Sequence, residues 1–246
     1  STVILPEVPY WIKMPQLDLF FHDAYPIGRW PDQREAAVVL TEDSLAAANA
    51  ALNVVALSAQ KIGFPPFGLT WLTRYEPEKT RLDLLVAGAL PTLPKSAIER
   101  APIGGVDPLR LVFPQMSRPQ ARSDEPIRFW SPSPSPSSQT PQNLSDVRAD
   151  SPVAGEFSGT LGPGRAALMQ FQHPAHADRT VTLLTAGVPE DLLAGSRALW
   201  NPMVQGGSRG DLLLINLEKP DYETLAHLVG PSYFIGNPGR IPVVHN

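Results

Sequence analysis

The sequence of 246 residues lacks cysteine altogether. Disulfide bonds, zinc sites built on thiolates and a cysteine nucleophile are therefore excluded. Positive charge is also scarce, because the formal net charge is −4 and no long basic run occurs. Nucleic-acid binding depends on a basic surface, so we expect no nucleic-acid partner.

Long apolar runs are absent as well. A helix that crosses a membrane needs ~20 consecutive apolar residues, and no segment of this sequence has them. The residues that follow Ser1 show neither the basic region nor the apolar stretch of a signal peptide. We therefore expect a soluble domain cut from a longer protein, with enough apolar residues to bury a normal core.

Proline, by contrast, is abundant: the chain has 28 prolines, about twice the usual frequency. Residues 1–30 combine prolines with irregularly spaced aromatics and predict an extended entry segment that packs on the surface of a domain formed by residues 31–246. Residues 118–163 are rich in proline and serine and cannot bury enough apolar surface to offset the entropy of ordering. They predict a long loop inserted into that domain.

Strand and helix patterns alternate on both sides of the predicted insertion. Residues 44–62 form the longest helical pattern, and its apolar stripe is expected to pack on a sheet; the stripe consists of Leu45, Ala48, Leu52, Val55, Ala59 and Ile62. Such alternation is typical of an α/β fold. We predict one doubly wound, mostly parallel sheet with helices on both faces.

The turn between the first buried strand and this helix is the usual place for a phosphate-binding loop. Here the turn contains Glu42 and Asp43, whose charges would repel a phosphate by ~1 kcal/mol each even in water. Capping of the helix by Thr41 or Asp43 is favoured, with Gly63 ending it. We expect no cofactor, although Thr41 and Ser44 leave flavin or nucleotide binding as an alternative.

Two other patterns could carry chemistry. The sequence GGSRG around Ser208 matches a nucleophile elbow, but that motif needs a strand before the serine and a helix after it, and the patterns here occur in the reverse order. His173 and His176 are spaced for a metal only on a helix, which Pro174 disfavours. We therefore predict a turn at Ser208, a solvated turn at the histidines, no metal site and no catalytic residue.

Aromatic side chains in loop-like sequence are the remaining candidates for a binding surface. Trp30, Phe129 and Trp130 lie in such sequence and are the candidate contacts for a glycan or a protein partner. Trp71, in an apolar strand pattern, and Trp200, at a helix end, are expected to belong to the core.

The order of several segments resembles a known family. The segments MPQLDLFFHDAYPIGRWPDQREAAVVLTEDS, IGFPP, ALMQFQHP, RTVTLLTA, GDLLLIN and YFIGN are similar to the periplasmic subunit of bacterial cellulose synthase. The resemblance implies the second flavodoxin-like domain of that subunit, which follows carbohydrate-binding modules and precedes a membrane anchor.

The function that this resemblance implies is a non-catalytic periplasmic scaffold. Its partners would be the catalytic subunit of the synthase and other domains of the same subunit, with nascent β-1,4-glucan as a further candidate. Membrane association would come only from the anchor of the full-length subunit. The rival hypotheses are a flavin- or nucleotide-dependent enzyme, a serine hydrolase that uses Ser208, and a polysaccharide-binding module.

Overall fold

The computed structural model describes residues 10–102, 161–219, 222, 224–228 and 230–237. Almost all of the predicted insertion at residues 118–163, including Phe129 and Trp130, lies outside the described residues. Strands from both sides of the insertion nevertheless join a single sheet. The expectation of one sheet shared by the two halves is therefore confirmed.

Nine strands occur in the described part of the chain. Seven of them form one sheet, and the other two, β1 and β9, pair with each other in an antiparallel ribbon. In chain order the strands are β1 (Tyr10–Met14), β2 (Ala36–Leu40), β3 (Thr70–Leu72), β4 (Asp83–Ala87), β5 (Arg165–Gln172), β6 (Thr180–Ala186), β7 (Leu212–Asn216), β8 (Thr224–His227) and β9 (Tyr233–Asn237).

Five α-helices connect these strands within the same ranges. They are α1 (Leu17–Asp23), α2 (Leu45–Ile62), α3 (Lys95–Ile98), α4 (Pro189–Ala198) and α5 (Pro202–Gly206). The ends of α2 and the start of α4 agree with the sequence, since Gly63 adopts the left-handed conformation after α2 and Pro189 occupies the first turn of α4.

The strand order in the large sheet is β3-β2-β4-β6-β5-β7-β8. Strand β2 pairs in parallel with β3 and β4, and β4 pairs in parallel with β6. Strand β5 pairs antiparallel with both β6 and β7, and β7 pairs antiparallel with β8. The α/β class is confirmed, but the prediction of a mostly parallel sheet is wrong, because β5 and β6 form a hairpin across residues 173–179. A tight hairpin can only join antiparallel strands.

The long helices lie on one face of this sheet. Helices α1, α2, α4 and α5 share a core with one set of alternating strand residues. The opposite set packs with Leu161, the segment around Leu90 and, at Ile98, the four-residue α3. In the described residues, the second face therefore carries the four-residue α3 and a 3₁₀ turn at Leu90–Thr92 in place of the predicted layer of helices.

Helix α2 buries a different side from the one that its apolar stripe suggests. Of the predicted stripe only Val55 is buried, and the buried residues are mainly small: Ala47, Ala50, Ala51, Val54, Val55, Leu57 and Ser58. Leu45 is 83% exposed and Leu52 is 50% exposed. The buried side is rotated by roughly 100° from the predicted stripe, because small side chains let the helix approach both the sheet and α4 closely.

The entry segment is not uniformly extended. Residues 10–14 form a strand, but residues 17–23 form α1, and the side chains of Leu17, Phe20 and Phe21 are buried in the same core as α2. The prediction of an extended surface segment over residues 1–30 is therefore wrong for α1. The spacing of these three apolar residues by three and four positions is that of an amphipathic helix.

A cluster of charged side chains joins the amino ends of the parallel strands. The side chain of Asp83, at the start of β4, is 1% exposed. Its carboxylate accepts a 2.8 Å hydrogen bond from the backbone N–H of Thr180 at the start of β6. It also lies 3.3 Å from both Arg29 and Arg179. Arg179 extends the cluster to Glu35, before β2, at 2.7 Å.

The ionisation of this cluster depends on its burial. Burial raises the pKa of Asp83 to about 6, while the two arginines act in the opposite direction. Partial burial also acts to raise the pKa of Glu35, but the hydrogen bond and charge of Arg179 outweigh it and hold that pKa below its ordinary value. At neutral pH the cluster therefore contains two carboxylates and two guanidinium groups in mutual contact.

Replacing Asp83 with asparagine tests this cluster. Asp83→Asn keeps the volume and an acceptor for Thr180, but it leaves the buried guanidinium groups of Arg29 and Arg179 short of one negative charge. We expect the free energy of unfolding in urea at pH 7.5 to fall by about 1–3 kcal/mol, because the asparagine amide N–H group faces the two guanidinium donors without an acceptor. The matched control Asp178→Asn removes a more exposed carboxylate and should cost about 1 kcal/mol or less. Equal losses for both variants would contradict a special role for Asp83.

Candidate functional site at the carboxyl edge of the sheet

Ligands of doubly wound sheets bind beyond the carboxyl ends of the parallel strands, where neighbouring crossovers diverge. In this fold the crossover after β2 leads outward to β3, while β4 is followed on its other side by β6. The candidate position for a nucleotide or flavin phosphate is therefore between the turn after β2, at residues 41–44, and the turn after β4, which begins at Gly88.

The turn after β2 caps its own helix. The hydroxyl of Ser44 accepts a hydrogen bond from the backbone N–H of Ala47 at 3.1 Å and donates one to the Glu42 carboxylate at 2.8 Å. Capping is thus confirmed, but the capping residue is Ser44 and not Thr41 or Asp43. An N-cap side chain bonds the third helical residue, and Ala47 holds that position in a helix that begins at Leu45.

Thr41 fills the space between the two turns. Its backbone N–H donates to the carbonyl oxygen of Ala87 at 3.3 Å. A Cβ atom placed on Gly88 would lie only 1.8 Å from the Thr41 hydroxyl oxygen. The two turns are therefore in direct contact, and the backbone approach that a phosphate needs at this edge is occupied by protein atoms, with the Glu42 carboxylate beside the helix start.

Ser208 lies between α5 and β7, so the order of elements is the reverse of a nucleophile elbow, as predicted. Its side chain is 2% exposed, and its hydroxyl donates to the carbonyl oxygen of Val204 at 2.6 Å. It borders an open cavity of about 790 Å³ that also includes His22 and Arg209. The His22 side chain is 80% exposed, and its ring nitrogen lies 3.2 Å from the Asp23 carboxylate. The Ser208 hydroxyl, by contrast, is hydrogen-bonded to a backbone carbonyl.

The two histidines form the turn between β5 and β6. The ring nitrogen Nδ1 of His173 accepts from the backbone N–H groups of Ala175 and His176, at 3.2 and 3.1 Å. The prediction of a solvated turn is wrong for His173, which is fully buried. In the described residues, no group of three or more His, Asp or Glu side chains is arranged to hold a metal ion. Burial lowers the pKa of His173 to about 4, and His176 acts in the same direction.

Among the predicted aromatic contacts, only Trp30 lies in the described residues. It is 40% exposed, and the guanidinium of Arg34 lies 3.9 Å from the centre of its ring. One ring face is therefore covered by a cation, a favourable contact in its own right. Phe129 and Trp130 lie outside the described residues, so they remain predictions.

Several exposed apolar side chains escaped the sequence analysis. Trp71 and Trp200 were expected in the core, but they are 46% and 38% exposed. Phe64 and Phe67, in the connection from α2 to β3, are exposed and meet edge to face with ring centres 6.2 Å apart. Trp71 is the sequence signal that could have located this surface. Its strand is only three residues long, so a place in an apolar strand pattern did not imply burial.

The contact between Thr41 and Gly88 can be tested by adding one methyl group. Gly88→Ala should lower the free energy of unfolding by about 1–3 kcal/mol through overpacking. Gly206→Ala is the control, because a Cβ atom there meets nothing within 4 Å. The double variant that combines Gly88→Ala with Thr41→Ala should recover part of the loss, which a double-mutant cycle measures. Additive effects would contradict direct contact.

Buried His173 predicts a stability that depends on pH. The folded protein keeps this ring neutral down to about pH 4, whereas an unfolded chain protonates it near pH 6.5. The unfolded state thus binds more protons in this window, so the free energy of unfolding falls as pH decreases, by at most about 1.4 kcal/mol per pH unit. Asp83, whose folded pKa is raised, acts in the opposite direction.

His173→Asn isolates the histidine contribution, since an asparagine oxygen can still accept from the backbone of the turn. Chemical unfolding at several pH values between 4 and 7 should show a flatter dependence for this variant than for the unchanged protein. His22→Asn, which replaces a histidine whose side chain is 80% exposed, is the control and should keep the original slope. The same slope in all three proteins would contradict the assignment to His173.

Comparison with known protein families finds a match over most of the chain. The family described as "Cellulose synthase BcsB, second FD domain" matches residues 10–184, a span that runs from β1 into β6 and contains both turns of the candidate site. A comparison with curated proteins finds no match. Since the matched span covers well over half of the sequence, the chain belongs to the family of second FD domains of the cellulose synthase protein BcsB.

Proposed function

We propose that this chain is a non-catalytic, periplasmic scaffold domain with a flavodoxin-like architecture. It supports the membrane-embedded glycosyltransferase of the cellulose synthase complex and the export of nascent β-1,4-glucan. Membership of the family implies a role in a cellulose synthase subunit. The strand order β3-β2-β4-β6 supports a flavodoxin-like relation, because it follows the start of the 2-1-3-4-5 order of that fold.

The observation that carries this proposal is the contact between Thr41 and Gly88. It occupies the position where a doubly wound sheet receives its ligand. Ser44 is committed to capping α2, and Ser208 is committed to a backbone carbonyl. A domain whose candidate reactive groups are all engaged in its own fold acts through its surfaces.

The partners of these surfaces are the catalytic subunit and other domains of the same subunit. The full-length protein is held at the inner membrane by segments outside this chain. A second candidate role is contact with glucan, which the exposed rings of Trp30 and Trp71 favour, because sugar rings stack on exposed aromatic side chains. Phe129 and Trp130 are proposed to contribute to the same kind of contact.

The proposal is tested in the full-length subunit co-expressed with its catalytic subunit. Ser44→Ala and Ser208→Ala should leave cellulose output per assembled complex within about twofold, whereas removal of a catalytic nucleophile or base typically costs about 100-fold or more. Co-purification of the two subunits reports assembly, and thermal unfolding of the isolated chain with and without FMN reports flavin binding.

Two results would overturn the proposal that the domain neither catalyses a reaction nor binds a flavin. One is a loss of about 100-fold in output for Ser44→Ala or Ser208→Ala while the subunits still co-purify. The other is a clear rise in unfolding temperature with FMN, since a ligand that binds the folded state stabilises it. Failure of the unchanged subunit to co-purify with the synthase would overturn the scaffold role itself.

A further inference from the structure

A cavity of about 790 Å³ lies between α1, α5 and the turn that precedes β7. Small-molecule sites usually have volumes of roughly 300–1,000 Å³, so the cavity has the size of a ligand site. We name it the α1–α5 cavity. Its wall includes Asp18, Phe21 and His22 from α1, Gly206 from α5, and Arg209 from the turn.

The walls of the α1–α5 cavity are held in place by contacts of the domain with itself. At the start of α1, the backbone N–H of Leu17 donates to the carbonyl oxygen of Gly210 at 2.8 Å, which ties the helix to the turn. Gln205 of α5 accepts from the ammonium group of Lys61 at 2.8 Å and donates to the carbonyl oxygen of Leu199 at 2.8 Å. The cavity is therefore preformed, which lowers the entropic cost of binding a ligand.

Two charged side chains line the cavity without pairing with each other. Asp18 lies in the first turn of α1, Arg209 lies in the turn before β7, and both are exposed. In the part of the chain that the structure describes, neither side chain has an ion-pair or hydrogen-bond partner. The cavity therefore offers a free carboxylate, which accepts hydrogen bonds, and a free guanidinium group, which donates them.

The balance of these charges selects the class of ligand. The charges of Asp18 and Arg209 cancel, and the His22 ring lies 3.2 Å from the Asp23 carboxylate, which balances any charge on that ring. A phosphate or carboxylate ligand would be repelled by Asp18, and an ammonium ligand would be repelled by Arg209. A neutral ligand that both donates and accepts hydrogen bonds avoids either repulsion.

Adjacent hydroxyl groups of a sugar ring meet these requirements. One hydroxyl can donate to the carboxylate of Asp18 while its neighbour accepts from the guanidinium group of Arg209, because a hydroxyl is both a donor and an acceptor. Hydrogen bonds with a charged partner are also stronger than those between neutral groups. The lining further includes Pro15, Phe21 and Pro202, whose apolar surface suits the C–H groups of the ring.

We propose that the α1–α5 cavity binds a neutral saccharide through adjacent hydroxyl groups, with Asp18 as the acceptor and Arg209 as the donor. The inference rests on the proposed function for the source of the saccharide, which is nascent β-1,4-glucan. Each glucose unit of that polymer is uncharged and carries adjacent free hydroxyl groups. Trp30 and Trp71 are not among the residues that line this cavity, so the site is separate from those exposed rings.

The test is a titration of this chain with cellohexaose, followed by calorimetry and by NMR of the backbone amides. We expect saturable binding, with the largest shifts in residues 205–210. Arg209→Ala and Asp18→Ala should each weaken binding by about tenfold or more, the effect of losing a hydrogen bond to a charged group. The matched controls Arg74→Ala and Asp43→Ala remove exposed charges outside the cavity and should leave binding unchanged.

Gly206→Trp tests the space of the cavity independently of its charges. A Cβ atom on Gly206 meets nothing within 4 Å, so a large side chain at this part of the wall can enter the open volume. We expect this variant to lose measurable binding of cellohexaose. Asn49→Trp is the control, because Asn49 is exposed on α2 and does not line the cavity. Thermal unfolding checks that every variant folds.

Two further ligands separate a saccharide from other classes. Inorganic phosphate is the probe for an anion site, where Asp18→Ala would strengthen binding by removing a like charge although it weakens saccharide binding. Chitohexaose is neutral, but an acetamide group replaces one of the adjacent hydroxyl groups, so it should bind about tenfold more weakly than cellohexaose. Absence of saturable cellohexaose binding, equal binding of chitohexaose, or unchanged cellohexaose binding in Arg209→Ala would each overturn the inference.

The two proposals fail in different ways. If the full-length subunit co-purifies with its catalytic subunit but cellohexaose does not bind the α1–α5 cavity, the scaffold function stands and the saccharide site is rejected. If cellohexaose binds as expected but the subunits do not co-purify, the scaffold function fails and the saccharide site stands.

Discussion

The arrangement of the parallel strands depends on one buried carboxylate. Asp83 receives the backbone N–H of Thr180 and contacts Arg29 and Arg179, while its own backbone N–H donates to the carbonyl oxygen of Glu35 at 2.9 Å. It thereby connects the start of β4 to the starts of β2 and β6. Because an uncompensated charge in this position is costly, the three strands are held in one register relative to each other.

The opposite edge of the sheet is closed by neutral packing. Thr41 and Gly88 bring the turns after β2 and β4 into contact, and Ser44 satisfies the free N–H group of Ala47. In a nucleotide-binding relative of this architecture these positions would remain open to phosphate. Both ends of the parallel strands are thus occupied by interactions of the domain with itself, which agrees with a role that is carried by its surface.

Apolar side chains are not evenly exposed on that surface, because the helices do not cover every strand of the sheet. Two helices cover four of the strands on one face, and β3 is left at the margin with Trp71 exposed. In the other half of the sheet β6, β5, β7 and β8 pair antiparallel, and β6 joins them to β4. Three exposed aromatic side chains, Phe64, Phe67 and Trp71, lie in β3 and in the connection that precedes it.

The sequence by itself determined the α/β class, the limits of α2, the capped turn and the bend at residues 173–178, because caps, glycine, proline and apolar spacing act over a few residues. Only the tertiary structure decided which flank of α2 is buried, that His173 is enclosed and that Asp83 joins Arg29 and Arg179. These features arise from contacts between residues far apart in the chain. Local periodicity shows that an apolar flank exists, but it cannot show which neighbour, if any, will cover it.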